Sequence, residues 1–137
     1  MRPAHPVILD NLTLESALSR RQPAQSTRSF LAVEYRALGA CYLLLGQADK
    51  AADRFRKARA ANPRYWWVHL WLAGTLGLKR DLDEARSALA ESIRRKPEVN
   101  SIARWRAESP CCTNPQFTAL AEKTLYTGLR RAGLPDE

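Results

Sequence analysis

Residues 35–63, YRALGACYLLLGQADKAADRFRKARAANP, and residues 69–97, HLWLAGTLGLKRDLDEARSALAESIRRKP, align at an offset of 34 residues. In the first stretch Tyr35, Leu38, Gly39 and Tyr42 are followed by Ala51, Phe55 and Pro63; in the second His69, Leu72, Ala73 and Leu76 are followed by Ala85, Leu89 and Pro97. The spacing is kept while most identities drift, so it specifies geometry rather than chemistry. Leu38, Gly39 and Tyr42 fall on one face of a first helix, and the missing side chain of Gly39 lets a second helix come close. Ala51 and Phe55 form the answering face. Pro63 and Pro97 stop each second helix, because proline lacks the amide hydrogen that a helix interior requires. The expected fold is all-α, an α-solenoid of antiparallel helix pairs.

That spacing resembles the tetratricopeptide repeat, W-x2-L-G-x2-Y then A-x3-F then P with a 34-residue period, here with Tyr35 in the Trp position. The resemblance implies two full repeats, about 32–65 and 66–99. Outward from them, NLTLESALSR at Asn11–Arg20 reads as a short helix closed by Pro23, the remnant of a preceding repeat inside an N-terminal leader of residues 1–25. Ser26 reads as the cap of a helix over about 27–45 that stops at Gly46. Further helices are expected over about 49–61, 64–77 and 82–95, the last with Asp81, Asp83 and Glu84 at its start and Arg94, Arg95 and Lys96 at its end, as the helix dipole favours.

A third repeat begins at Pro97 with Val99, Ile102 and Trp105 but is interrupted by Pro110 and Cys111-Cys112, which ends an array spanning 26–110. Residues 111–137 then form a capping helix and tail. Asn114 caps this helix, Pro115 lies in its first turn, Phe117, Leu120, Ala121, Leu125 and Leu129 share one side, and Gly133 stops it. A terminal repeat needs such a cover for its apolar face.

The chain has 137 residues, 45% of them apolar, which is enough for one packed domain. Its 22 Lys and Arg against 14 Asp and Glu give a net charge of +8, which favours acidic partners over basic ones. MRPAHPVILD lacks the apolar core of a secretory signal, and LGACYLLLG is too short to span a bilayer. Three cysteines, two of them adjacent, make no disulfide framework, so a reduced cytoplasmic setting is expected.

No catalytic constellation stands out, and no enzymatic activity, cofactor or metal is expected. His5 and His69 have no second ligand at metal spacing, Cys111 and Cys112 read as reduced loop thiols, and the acidic cluster at 81–84 reads as a helix start. Arg54, Lys57, Arg59, Arg94, Arg95 and Lys96 form a basic face on the second helices. A nucleic-acid footprint would need aromatics interleaved among those charges, and the tryptophans lie on other helices, so nucleic acid is the weaker reading.

The order from LGQADKAADRF through IARWRAESP, followed by TLYTGLRRAGLPDE, resembles the tetratricopeptide tail behind class III adenylate cyclase domains and some winged-helix regulators, over Ser26–Glu137. A cyclase would need a separate domain with paired metal-binding aspartates, which this chain does not contain. The repeat resemblance also implies that the first helix of each pair lines a concave groove, with Arg36, Ala40 and Leu43 from one helix and Trp67, Leu70, Trp71, Gly74 and Gly77 from the next. Only Arg36 resembles the basic set with which some members clamp acidic C-termini, so an apolar groove anchored on Trp67 is the more consistent picture. Aromatic spacing alone leaves Trp66, Trp67 and Trp71 open between packing and ligand contact. Gly74 and Gly77 leave room for a ligand or for a closely packed helix. The expected role is a protein-interaction or regulatory module that binds a peptide or partner helix, as a monomer or weak dimer. The alternatives are the tail of a cyclase-like signalling protein or transcriptional regulator, and association with nucleic acid.

Overall fold

The computed structural model describes residues 25–109 and 113–137. The expected helix at Asn11–Arg20, His5, Pro110 and the Cys111-Cys112 pair lie outside them. Five helices lead through the array: α1 (Gln25–Leu44), α2 (Ala48–Ala61), α3 (Trp66–Leu78), α4 (Leu82–Arg95) and the short α5 (Ile102–Glu108). A final rod consists of α6 (Pro115–Ala121), a π-helical turn at Glu122–Tyr126 and α7 (Thr127–Ala132). No strand occurs among the described residues.

The helices pack in antiparallel pairs, α1 on α2 and α3 on α4, with α2 against α3 joining the pairs. Within the first pair Gly39 has the role its position implies: a Cβ there would lie 2.7 Å from the Phe55 ring. Phe55 is fully buried and stacks on Trp71 at 5.6 Å between ring centroids, linking the pairs through one aromatic contact. In the second pair Leu72, Ala73, Leu76, Ala85 and Leu89 are all buried, as their repeat positions require. Ala51 and Tyr42 also meet the core, Tyr42 only partly, because Lys50 and Arg54 lie over its ring.

The helix WWVHLWLAGTLGL, α3, is apolar on all sides, and every residue from Val68 to Gly77 is buried. A helix with no polar face must be surrounded. Here α1, α2, α4, the π turn and α7 surround it. The closest neighbour is α7. A Cβ on Gly77 would fall inside the backbone of Gly128, and a Cβ on Gly128 would fall inside the backbone of Gly74. Leu125 and Leu129 seal the crossing beside Gly74. The small residues of α3 therefore accommodate a helix.

Several expectations of detail change. Ser26 is not a cap, because α1 is already helical at Gln25. Gly77 lies within α3, which runs on to Leu78 before a turn in which Arg80 adopts φ 69°. Asp81 makes no side-chain capping bond and instead lies 3.6 Å from Lys79. Leu38 is exposed, since no element among the described residues covers that face of α1. Together with Phe30, Leu31 and, just past the helix end, Leu45 it leaves an apolar outer face along α1. In the closing rod Asn114 caps as expected, its side chain accepting from the Gln116 and Phe117 amides, and Gly133 ends the rod at φ 110°. The π turn was not foreseen. Its extra residue rotates the helix face, so Ala121, Leu125 and Leu129 are buried while Leu120 is exposed.

Gly77→Ala is expected to destabilise the fold by at least about 2 kcal/mol, because two backbones would have to separate to admit one methyl group. Gly46→Ala, at φ 82° with nothing near the added carbon, should cost only about 1 kcal/mol of backbone strain. Urea midpoints at unchanged slope measure both.

Candidate functional site

The same crossing that fills one end of the array leaves the other end open. Between α1, the start of α3 and α5 lies an open cleft of about 490 Å³, lined by Val33, Arg36, Trp66, Trp67, Trp71, Trp105, Glu108 and Ser109. Its floor is Trp71, buried between Phe55 and Trp105. Trp105 meets Trp71 edge-on at 5.8 Å and Trp66 at 6.1 Å, while Trp67 stacks on Tyr65 at 4.7 Å. Tyr65 is tied to α1 by a 2.6 Å hydrogen bond from its hydroxyl to Ser29. The tryptophan walls are thus fixed by ring contacts with different helices rather than by one helix alone.

The fourth tryptophan, Trp105, is placed by local chemistry at both ends of α5. The Ser101 side chain accepts from the Arg104 amide. The next free amides, of Ile102 and Ala103, donate to the Pro135 and Asp136 carbonyls, so the C-terminal tail holds the start of α5. Arg106 lies 4.7 Å over Tyr126 and 3.2 Å from Glu122, which also pairs with Arg130. Trp105 is itself 5% exposed, and its indole N–H has no acceptor among the described residues. Leaving such a donor buried costs about 1–3 kcal/mol.

Two cations flank the aromatic walls. Lys96 lies 5.4 Å over Trp66 and also pairs with Glu108 at 3.3 Å. Arg36, half-buried, has its guanidinium 5.5 Å over Trp67 and makes no ion pair with a carboxylate among the described residues. A cation over an indole face is attracted by the ring quadrupole, which holds Arg36 at the rim without neutralising it.

Of the residues expected in the groove, Arg36 and Trp67 line this cleft from α1 and α3, and Trp71 forms its floor. Ala40 is half-buried beside the core. Leu43 and Leu70 are fully buried core residues, and Gly74 is covered by Leu125, so these three present no surface to a ligand. The reason is that α7 and the π turn occupy the part of the α3 face that the repeat register leaves open. Trp105 and Glu108 contribute to the cleft without having been foreseen as site residues. The fragment IARWRAES carries an aromatic at the right helical phase, but its place beside Trp66 and Trp71 depends on the tail reaching α5.

The basic face is extensively paired. Arg54 and Lys57 share Asp53 at 2.7 and 3.4 Å, Arg94 and Arg95 share Glu91, and Lys96 pairs with Glu108. Hydrogen bonding from Arg94, joined by Arg95, holds the Glu91 carboxyl down at about 2, and the same contact raises Arg94. Of the six basic residues only Arg59 makes no ion pair among the described residues. Among the described residues no three His, Cys, Asp or Glu side chains gather as a metal site would require, and no helix is long and apolar enough to cross a membrane.

The family model for the tetratricopeptide repeat matches residues 37–107, from the last two turns of α1 through α4 and most of α5. The chain belongs to the tetratricopeptide repeat family. No curated protein matches it. Tetratricopeptide repeats generally mediate protein–protein interaction.

His69 packs as its repeat position demands: it is buried and its Nε2–H donates to the Pro63 carbonyl at 2.7 Å. Burial pushes its pKa below the ordinary 6.5, outweighing the Pro63 contact and Glu91, with Arg95 and Arg59 acting in the same direction as burial. The unfolded chain therefore binds this proton first, and stability declines as pH falls below 6.5. His69→Gln, which keeps a donor for Pro63, is expected to flatten the loss of urea midpoint between about pH 7 and about pH 5.

Proposed function

We propose that this protein is a non-catalytic interaction module that takes a peptide or partner helix into the cleft between α1, α3 and α5. The observation that carries this reading is the convergence of four tryptophans from two helices on one open cleft with Arg36 at its rim. Buried aromatic anchors and arginine are the residues that dominate binding energy at protein interfaces. A rigid aromatic cleft also spares the partner the cost of ordering the receptor. The groove is shorter than the two-repeat register implies, since α7 covers its far end, so recognition would rest on a few residues of the partner.

Trp67→Ala and Arg36→Glu are expected to weaken capture of a partner by tenfold or more each, as hot-spot truncations of about 2 kcal/mol do. Isothermal titration calorimetry on folded variants measures this. Unchanged affinity in both would remove the cleft as the binding site.

A second reading, in which the array serves as the regulatory tail of a cyclase-like or DNA-binding protein, draws on the apolar outer face of α1 formed by Phe30, Leu31, Leu38 and Leu45. Such a face suits packing against a further element on the N-terminal side. An in-frame catalytic or DNA-binding domain directly upstream in the DNA would support it, and a separate promoter immediately before Met1 would count against it. Nucleic acid is the weaker occupant, because five of the six residues of the basic face are paired with the protein's own carboxylates.

A further inference from the structure

We infer that the cleft selects an internal acidic segment of its partner, in which one bulky apolar side chain enters between the tryptophans and an Asp or Glu close to it in sequence meets Arg36. The inference rests on the cleft being the binding site and specifies what it binds. Three observations carry it. The tryptophans of α3 and α5, with Val33 of α1, make most of the lining apolar, so the anchor entering it is apolar. The two rim charges differ in state: Glu108 is already neutralised by Lys96, whereas Arg36 makes no ion pair among the described residues. A single unneutralised cation calls for one carboxylate, and the chain's net charge of +8 favours an acidic partner at longer range.

The cleft is open to solvent rather than enclosed, and its lining holds one basic side chain, Arg36, with no second cation to clamp a terminal carboxylate. That favours a side-chain carboxylate within a segment over the carboxylate of a chain end. Arg36 is already held over Trp67, so its guanidinium needs little further ordering to donate to a carboxylate.

The test uses the full chain as bait for two random dodecapeptide libraries displayed on phage, one embedded between flanking residues and one ending in a free carboxylate. Selection on the unaltered chain is expected to enrich an apolar residue with Asp or Glu within about four positions in the embedded library. The same selection on Arg36→Glu is expected to exchange the acid for Lys or Arg while keeping the apolar anchor. Synthetic peptides from the consensus, titrated by tryptophan fluorescence, should bind about tenfold or more weakly when their acid is changed to Gln, as loss of a charge-assisted hydrogen bond implies. Circular dichroism and urea midpoints establish that Arg36→Glu is folded. An acid preference that persists on Arg36→Glu, an apolar consensus with no acid, or enrichment confined to the free-carboxylate library would each overturn the inference while leaving the cleft as a binding site. Enrichment of peptides whose binding survives Trp67→Ala, or no enrichment on the folded chain, would instead remove the underlying reading and the inference with it.

Discussion

The backbone contact of Gly74 and Gly77 on α3 with Gly128 on α7 is the constraint on which the rest of the structure depends. Two helices approach this closely only where neither carries a side chain, and each glycine costs about 1 kcal/mol relative to alanine in a helix. The cost is offset by what the crossing buries: Leu125, Leu129 and Ala132 pack onto a helix that has no polar face of its own. Two helix pairs leave such a helix open on one side, and the closing rod substitutes for the next repeat. Once α7 is seated, the tail beyond Gly133 runs back to α5, where its Pro135 and Asp136 carbonyls accept from the Ile102 and Ala103 amides, and so brings Trp105 onto Trp71.

The cleft follows from this arrangement. The repeat register alone gives a groove running along α1 and α3, whereas the closing rod removes its far half and α5 adds a third wall to its near half. What remains is short, aromatic and flanked by two cations in different electrostatic states. The tryptophans have divided roles: Trp71 joins the pairs through Phe55, Trp105 bridges α5 to α3, and Trp66 and Trp67 stay half-buried with a cation over each ring. Packing and ligand contact, which sequence spacing could not separate, apply to different members of the same cluster.

Much of the fold was legible because its signals are local. The Gly39 and Phe55 columns, the proline stops, the Asn114 cap and the Gly133 terminator each describe a residue's relation to its own helix or the next one. The misreadings share the opposite property. Leu38 is exposed because no described element covers that side of α1. Leu120 is exposed because a π turn shifts the phase of the rod. Leu43 and Leu70 are core rather than groove because neighbouring elements enclose their faces, and Gly74 is covered by a helix much later in the chain.

By itself the sequence determined an all-helical array of antiparallel pairs, because a 34-residue period with fixed small and bulky columns admits one way of pairing helices. It also determined that α3 must be enclosed, since a helix with no polar face is not stable in water. The tertiary structure alone decided which surface stays open. Exposure depends on which distant segments dock together, and the periodicity of a helix reports its phase and not its neighbours. The glycines of α3 could have received a ligand or a helix with equal steric ease, and the seating of α7 settled the matter by placing Gly128 against them.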